Sequence, residues 1–167
     1  MRRGASPPRA GVTLLELMIC VAVLAVLGAL ALPGLGSRLA HQRLQHAAET
    51  LSSDITEARY LAAQGGRAVH LQALGGAQWC WSVALRPGCD CSKAEGCQIR
   101  NVDASKLAGV RLLDSMALRL DPGGFAEGRS GATFESANGD RLRVEVSAQG
   151  RPRICASSGN WPRLPAC

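Results

Sequence analysis

At 167 residues the chain suits one modest domain plus an N-terminal segment. Its formal charge is +6, carried by arginine far more than by lysine, and seven cysteines are many for this length. No Ser/His/Asp set, phosphate-binding loop or carboxylate pair is arranged for catalysis, so the chain reads as a structural or binding protein without a cofactor, not as an enzyme.

The first eleven residues carry Arg2, Arg3 and Arg9, no acid, and end at Gly11. An apolar run follows from Val12 to Leu32, with one acid near its start, Glu16, and no further charge until Arg38. As a helix the run reaches about 31 Å, enough for a bilayer core. A cleaved secretory signal peptide is the bland alternative, and Ala29-Leu30-Ala31 offers an A-x-A-like site. The run exceeds the usual signal core, however, and a glutamate inside such a core is costly without a partner. With the basic leader kept inside, the rest of the chain faces the periplasm.

Pro33-Gly34 is a place for a kink or local melting. Beyond it Leu35, Leu39, Leu44, Ala47, Leu51, Ile55, Ala58 and Ala62 draw one apolar stripe, while Arg38, Gln42, Arg43, Gln45, Glu49, Asp54, Glu57 and Arg59 occupy the other faces. Gln64-Gly65-Gly66 stops this second half of a helix of roughly 50 residues. The remainder reads as β: residues 67–74, 78–85 (with Trp79, Trp81, Val83 and Leu85 on one face), 109–114, 116–121, 131–136, 140–147 and 151–156. Pro122-Gly123-Gly124 is a turn, and Asn138-Gly139 is the strongest hairpin signal.

Cys20 lies in the apolar run as a lone small hydrophobe. The other six cysteines follow it into oxidising surroundings, where disulfides persist. Cys155–Cys167 would tie down a proline-rich tail. Cys80, Cys89, Cys91 and Cys97 leave two bridges within a surface excursion, residues 86–97, with Cys89 and Cys91 each pairing with Cys80 or Cys97. A zinc site in this cluster is the rival; oxidising surroundings and the lack of a nearby histidine argue against it and for no metal.

Residues 141–167 hold Arg141, Arg143, Arg151, Arg153 and Arg163 against Glu145 alone, and so carry the whole positive excess of the part beyond the apolar run. If Ala148-Gln149-Gly150 is a three-residue hairpin loop with Gly150 left-handed, Ser147 opposes Arg151, Glu145 opposes Arg153 and Arg143 opposes Cys155. Alternation then puts Arg141, Arg143, Arg151 and Arg153 on one face and Leu142, Val144, Val146 and Ile154 on the other. A two-residue turn would mix the two sets.

Gly11-Val12-Thr13-Leu14-Leu15-Glu16 resembles the prepilin signature shared by type IV pilins and type II secretion pseudopilins. Gly150-Arg151-Pro152-Arg153 resembles the Gly-Arg-x-Arg motif of DNA-binding FimT-like members of the FimT/GspH group of minor pilins and pseudopilins. The resemblance covers the N-terminal signature, the long helix and this motif, and leaves the cysteine cluster unmatched; valine at position 12 departs from the commoner phenylalanine. It implies an α+β pilin fold, a long N-terminal helix packed on an antiparallel sheet, here stapled by disulfides. It implies leader residues 1–11, a transmembrane and filament-core helix at 12–33, its amphipathic half at 34–66, and a periplasmic β-rich domain at 67–167. A prepilin peptidase would cut between Gly11 and Val12 and methylate Val12. Glu16 would neutralise the Val12 amino group of a neighbouring subunit in a filament of major and minor pilins, and the protein would sit in the inner membrane before assembly into a pilus or pseudopilus at the cell surface. An ionised carboxylate in an apolar layer needs such a partner.

For DNA, arginine forks match phosphate oxygens in pairs, and contacts to the backbone alone suit binding of any sequence, here double-stranded. About four neutralised phosphates would give a log K against log salt slope of about −3.6. Trp161 alone among aromatics is interleaved with these arginines, which argues against a single-strand stacking platform. The sober alternative is a solvated strand face with Glu145 neutralising Arg153. A GspH-like pseudopilin of type II secretion, or an assembly-priming minor pilin without DNA binding, are the competing functions. His41, His46 and His70 read as surface or partly exposed residues, Trp79 and Trp81 as core.

Overall fold

The computed structural model describes residues 13–93, 96–128 and 131–167, with the backbone alone for 30–35. Gly11, Val12 and the leader lie outside the described residues. Among the described residues a single helix, α1 (Leu14–Gly65), is followed by nine strands. The chain divides into two compact units, Met1–Gly36 and Ser37–Cys167.

In the first unit Leu14, Leu15, Leu17, Met18, Val21 and Leu24 are all exposed, so this helical segment presents apolar side chains on every side. Cys20 is exposed and unbridged. Among the described residues no helix is long and apolar enough to cross a membrane. The expected span, Val12–Leu32, runs past them, because Val12 and the side chains of residues 30–32 are not among them. The helical backbone passes through Pro33-Gly34 without a break.

In the second unit α1 ends where expected, with Gly66 left-handed (φ 58) just beyond Gly65. Leu44, Ala47, Ala48, Leu51, Ile55, Ala58 and Ala62 are fully buried in one core with both sheets. Leu39, expected in the stripe, is exposed. The strands are β1 (Val69–Leu74), β2 (Cys80–Ala84), β3 (Gln98–Asp103), β4 (Val110–Leu112), β5 (Met116–Leu120), β6 (Ala126–Gly128), β7 (Gly131–Ser136), β8 (Arg141–Val146) and β9 (Pro152–Ser158). They form two antiparallel sheets, ordered β3-β2-β1-β5-β6 and β4-β7-β8-β9, where the sequence suggested one. β3 and β6 are the outer strands of the first sheet, and their patterns are polar or too short to alternate, so neither is visible as a strand in the sequence.

Trp79, just ahead of β2, and Trp81 within it join these layers. Trp79 and Trp81 stack at 5.5 Å between ring centroids, and Phe134 of β7 meets both edge-on. Trp79 Nε1–H donates to the Val110 carbonyl of β4 (2.8 Å), linking the sheets. Trp81 Nε1–H donates to Asp54 Oδ2 of α1 (2.7 Å). Asp54 is thus only 1% exposed, which corrects its assignment to an outer helix face. Arg100 of β3 lies 2.6 Å from its Oδ1. Burial pushes the Asp54 carboxyl above its usual range, opposed by the Trp81 hydrogen bond and the Arg100 charge.

Disulfides join Cys80–Cys91, Cys89–Cys97 and Cys155–Cys167. The first two fold the 86–97 excursion back on β2 and β3, where the Ser82 hydroxyl of β2 donates to the Cys89 carbonyl and the Asn101 amide of β3 to that of Cys91. The third holds the tail against β9, with Ala156 N–H donating to the Pro165 carbonyl (2.8 Å).

Candidate nucleic-acid interface

The β8–β9 hairpin is built by its alternation. Arg143 faces Cys155, Val144 faces Ile154 and Glu145 faces Arg153, and the apolar set Leu142, Val144 and Val146 is buried. Ser147 N–H donates to the Arg151 carbonyl (3.0 Å) and Gly150 N–H to the Ser147 carbonyl (2.8 Å), enclosing Ala148-Gln149-Gly150. Gly150 is left-handed, φ 71. A Cβ there would lie 2.2 Å from the Gly124 carbonyl oxygen and 3.2 Å from the Arg59 side chain. The loop therefore docks on the β5–β6 turn and on α1, and Ala126 N–H donates to the Ala148 carbonyl (3.0 Å) beside that contact. Gly150 is accordingly a packing residue, which only glycine can fill.

Acids from other strands change the charge of the arginine face. Arg141 Nη2 lies 2.9 Å from Glu135 of β7, and Arg111 of β4 reaches the same carboxylate at 3.7 Å. Arg143 Nη1 donates to Asp114 Oδ2 and to Thr133 Oγ1, each at 2.9 Å. Arg153 Nη2 donates to Glu145 Oε2 (3.0 Å), and Arg143 Nε lies 3.7 Å from Glu145 Oε1. The hairpin was expected to carry four arginines with one acid among them; three acids meet them instead. Asp114 is far from the hairpin in sequence and comes to it just past the end of β4, while Glu135 lies six residues before Arg141 and meets it across the β7–β8 turn.

Arg151 is exposed, and among the described residues no acid lies within ion-pair distance of it. Arg163, on the disulfide-held tail, is likewise exposed and unpaired among them. Trp161 is turned away from solvent: it stacks on His41 of α1 at 3.5 Å, its Nε1–H donates to the Ser158 carbonyl (3.0 Å), and Asp140 Oδ2 lies 4.0 Å from His41 Nδ1. His41 is therefore a partner for the tail and not simply a surface residue.

At the other end of the chain, Thr13 caps α1. The Glu16 N–H lies 3.3 Å from Thr13 Oγ1, the Ncap-to-N3 half of a capping box in Thr13-Leu14-Leu15-Glu16, with the Glu16 carboxylate at the positive end of the helix dipole. The sequence held that signal, and it supplies a local role for Glu16 beside the expected one.

Residues 7–32 match the prokaryotic N-terminal methylation motif, and residues 47–150 match the family described as type II transport protein GspH. A search of the curated proteins finds no match. Among solved structures the chain is similar to the type IV minor pilin FimU of Pseudomonas aeruginosa strain PAO1 in two crystal forms. Identity is 22% in both, with TM-scores of 0.52 and 0.51. The alignments cover 73% and 71% of this chain and 95% and 98% of FimU. At that identity the likeness is one of fold: a long helix on antiparallel sheet, the pilin arrangement. The GspH match takes in more than half the chain, from the buried stripe of α1 to Gly150 at the hairpin tip. With a methylation motif ahead of that match and the pilin fold around it, the chain belongs to the GspH family.

Proposed function

We propose that this protein is a minor pilin of a type IV pilus and binds DNA without sequence preference during DNA uptake. The observation that carries the DNA reading is Arg151, an exposed guanidinium with no acid partner among the described residues, raised on a loop that Gly150 locks in place. Arg153 beside it and Arg163 on the tail would add phosphate contacts, with Arg141 and Arg143 contributing less because Glu135 and Asp114 hold them. Arginine at a loop end reaches phosphate oxygens bidentately and reads no base edge, which suits a filament that must take any sequence.

The minor-pilin half of the proposal draws on the fold shared with FimU and on the methylation motif. A peptidase would cut between Gly11 and Val12 and methylate Val12. The uniformly apolar start of α1 would hold the protein in the inner membrane and later in the filament core, with Glu16 neutralising a neighbouring subunit's N-terminus and the domain after it in the periplasm. A pseudopilin of type II secretion is the second reading. The ion pairs of Arg141 and Arg143 favour it, since they remove two arginines from the surface charge.

Gel shifts of the full chain in detergent on mixed-sequence duplex, beside Arg151→Gln/Arg153→Gln, test the DNA reading. A retarded band for the wild type that the double variant loses is the expected result. Equal retardation of both, or none for either, rejects it.

A further inference from the structure

The contact between Gly150 and Gly124 joins two loops, and each is followed by an exposed residue. Arg151 follows Gly150. Phe125 follows Gly124, and its side chain is 55% exposed. The β5–β6 turn fixes the position of Phe125: Asp121 Oδ1 accepts from the N–H groups of Gly123 and Phe125, both at 2.8 Å, and Asp121 N–H donates to the Phe125 carbonyl (3.0 Å). The ring lies over Gly123, whose added Cβ would be 3.0 Å from its edge. An aromatic ring is therefore held out to solvent on a turn with all its local hydrogen bonds made.

A third element meets these loops. The side chain of Arg59, from α1, runs beneath both glycines: an added Cβ at Gly124 would lie 3.1 Å from its Cγ, and one at Gly150 3.2 Å from its Cδ. Its Nε is buried without a hydrogen-bond partner, and among the described residues no acid pairs with it. Two unpaired arginines and one exposed aromatic thus converge on the Gly124–Gly150 contact, with the Gln149 amide exposed on the same loop. The acid here, Asp121, is engaged in its own turn.

We propose that this junction is a site for single-stranded nucleic acid, in which an unpaired base stacks on Phe125 while Arg59 and Arg151 take the flanking phosphates. The proposal rests on the DNA reading above and extends it. In a duplex each base face is already covered by its neighbours, so a surface ring gains nothing from it; in a single strand the face is free and stacking is tolerant of base identity. The phosphate contacts serve both forms. The site would therefore hold a single strand, or an opened end, more tightly than intact duplex. Trp161, the one aromatic interleaved with the C-terminal arginines, is taken up by His41, and Phe125 from a distant turn supplies an exposed ring instead.

Anisotropy titrations of the full chain in detergent, with labelled oligothymidylate and with a duplex of equal length, test this. The wild type should prefer the single strand. Phe125→Ala should weaken single-strand binding roughly tenfold and leave duplex binding within about twofold. Phe125→Trp should restore the preference, and Phe125→Leu, which keeps apolar bulk without a π face, should not. Arg59→Gln should weaken both forms and flatten the salt slope by about one phosphate. Loss of all binding in Arg151→Gln together with an unchanged strand preference in Phe125→Ala overturns this inference alone. Unchanged binding of both forms in Arg151→Gln overturns the DNA reading, and this one with it. Near-ultraviolet circular dichroism of each variant confirms that the core tryptophans keep their packing, and a variant that loses that signal is replaced in the comparison by its ring-retaining counterpart.

Discussion

The Trp81 indole N–H donates to the Asp54 carboxylate across 2.7 Å, and this bond crosses from the central region of the first sheet to the helix in the middle of the core. Burial raises the Asp54 pKa above 3.8 despite the indole and Arg100. The folded state therefore holds its proton more tightly than the unfolded chain does. Stability from this group is fully present below pH 3.8 and is lost as pH rises through the folded-state value. Asp54→Asn cannot titrate. The stability of the wild type relative to Asp54→Asn should accordingly fall as pH rises through that window, in urea titrations at a series of pH values. A constant difference across the series contradicts the assignment. Trp81→Phe, which leaves the buried carboxylate one donor short, should cost about 1–3 kcal/mol near neutral pH.

Gly150 and Arg151 stand side by side in the C-terminal motif and do different work. Gly150→Ala imposes a left-handed backbone on an ordinary residue and drives a methyl into the Gly124 carbonyl. It should destabilise the domain by about 2–5 kcal/mol. Arg151→Gln touches only solvent and should stay within about 0.5 kcal/mol of wild type. Denaturation midpoints for the two variants check this, and similar losses in both would remove the division of labour.

The Cys155–Cys167 bridge closes a sequence separation of 12 residues and holds the tail that carries Trp161, stacked on His41, and Arg163. By loop-closure entropy Cys155→Ala/Cys167→Ala should lower stability by about 3 kcal/mol. Trp161 should become accessible, read as a red shift and stronger quenching of tryptophan fluorescence, with Trp79 and Trp81 still buried.

Local pattern carried a good part of this fold. The helix end at Gly66, the β8–β9 register and the left-handed Gly150 were legible because alternation and turn chemistry act over a few residues. The stapled excursion and tail were legible because six cysteines in short spans leave few ways to pair. Legibility failed where partners come from far along the chain. Asp54 looks like an outer-face acid until β2 brings Trp81 to it. β3 has no apolar alternation because it is an outer strand of its sheet. Asp114 is invisible to any short window that contains Arg141 and Arg143, and so are Arg59 and Phe125 to one that contains Arg151; Glu135, six residues before Arg141 across the Asn138-Gly139 turn, was within reach of local pattern and was missed.

The acids on the arginine face make the last prediction, one that runs opposite to the usual loss on mutation. Glu135 sits against both Arg141 and Arg111. Its side chain is mostly covered, so these pairs are less exposed to solvent than a rim contact, and they compete with any phosphate for the same guanidinium groups. Glu135→Gln removes the competitor without removing a cation. If the hairpin face meets DNA, this variant should bind duplex more tightly than wild type at low salt, and its log K against log salt slope should steepen by up to about 0.9 for each arginine released. Arg141→Gln in the Glu135→Gln background should cancel the gain. If Glu135→Gln instead leaves affinity and slope unchanged, only the loop end contacts DNA, and the strand arginines serve to hold β4, β7 and β8 together.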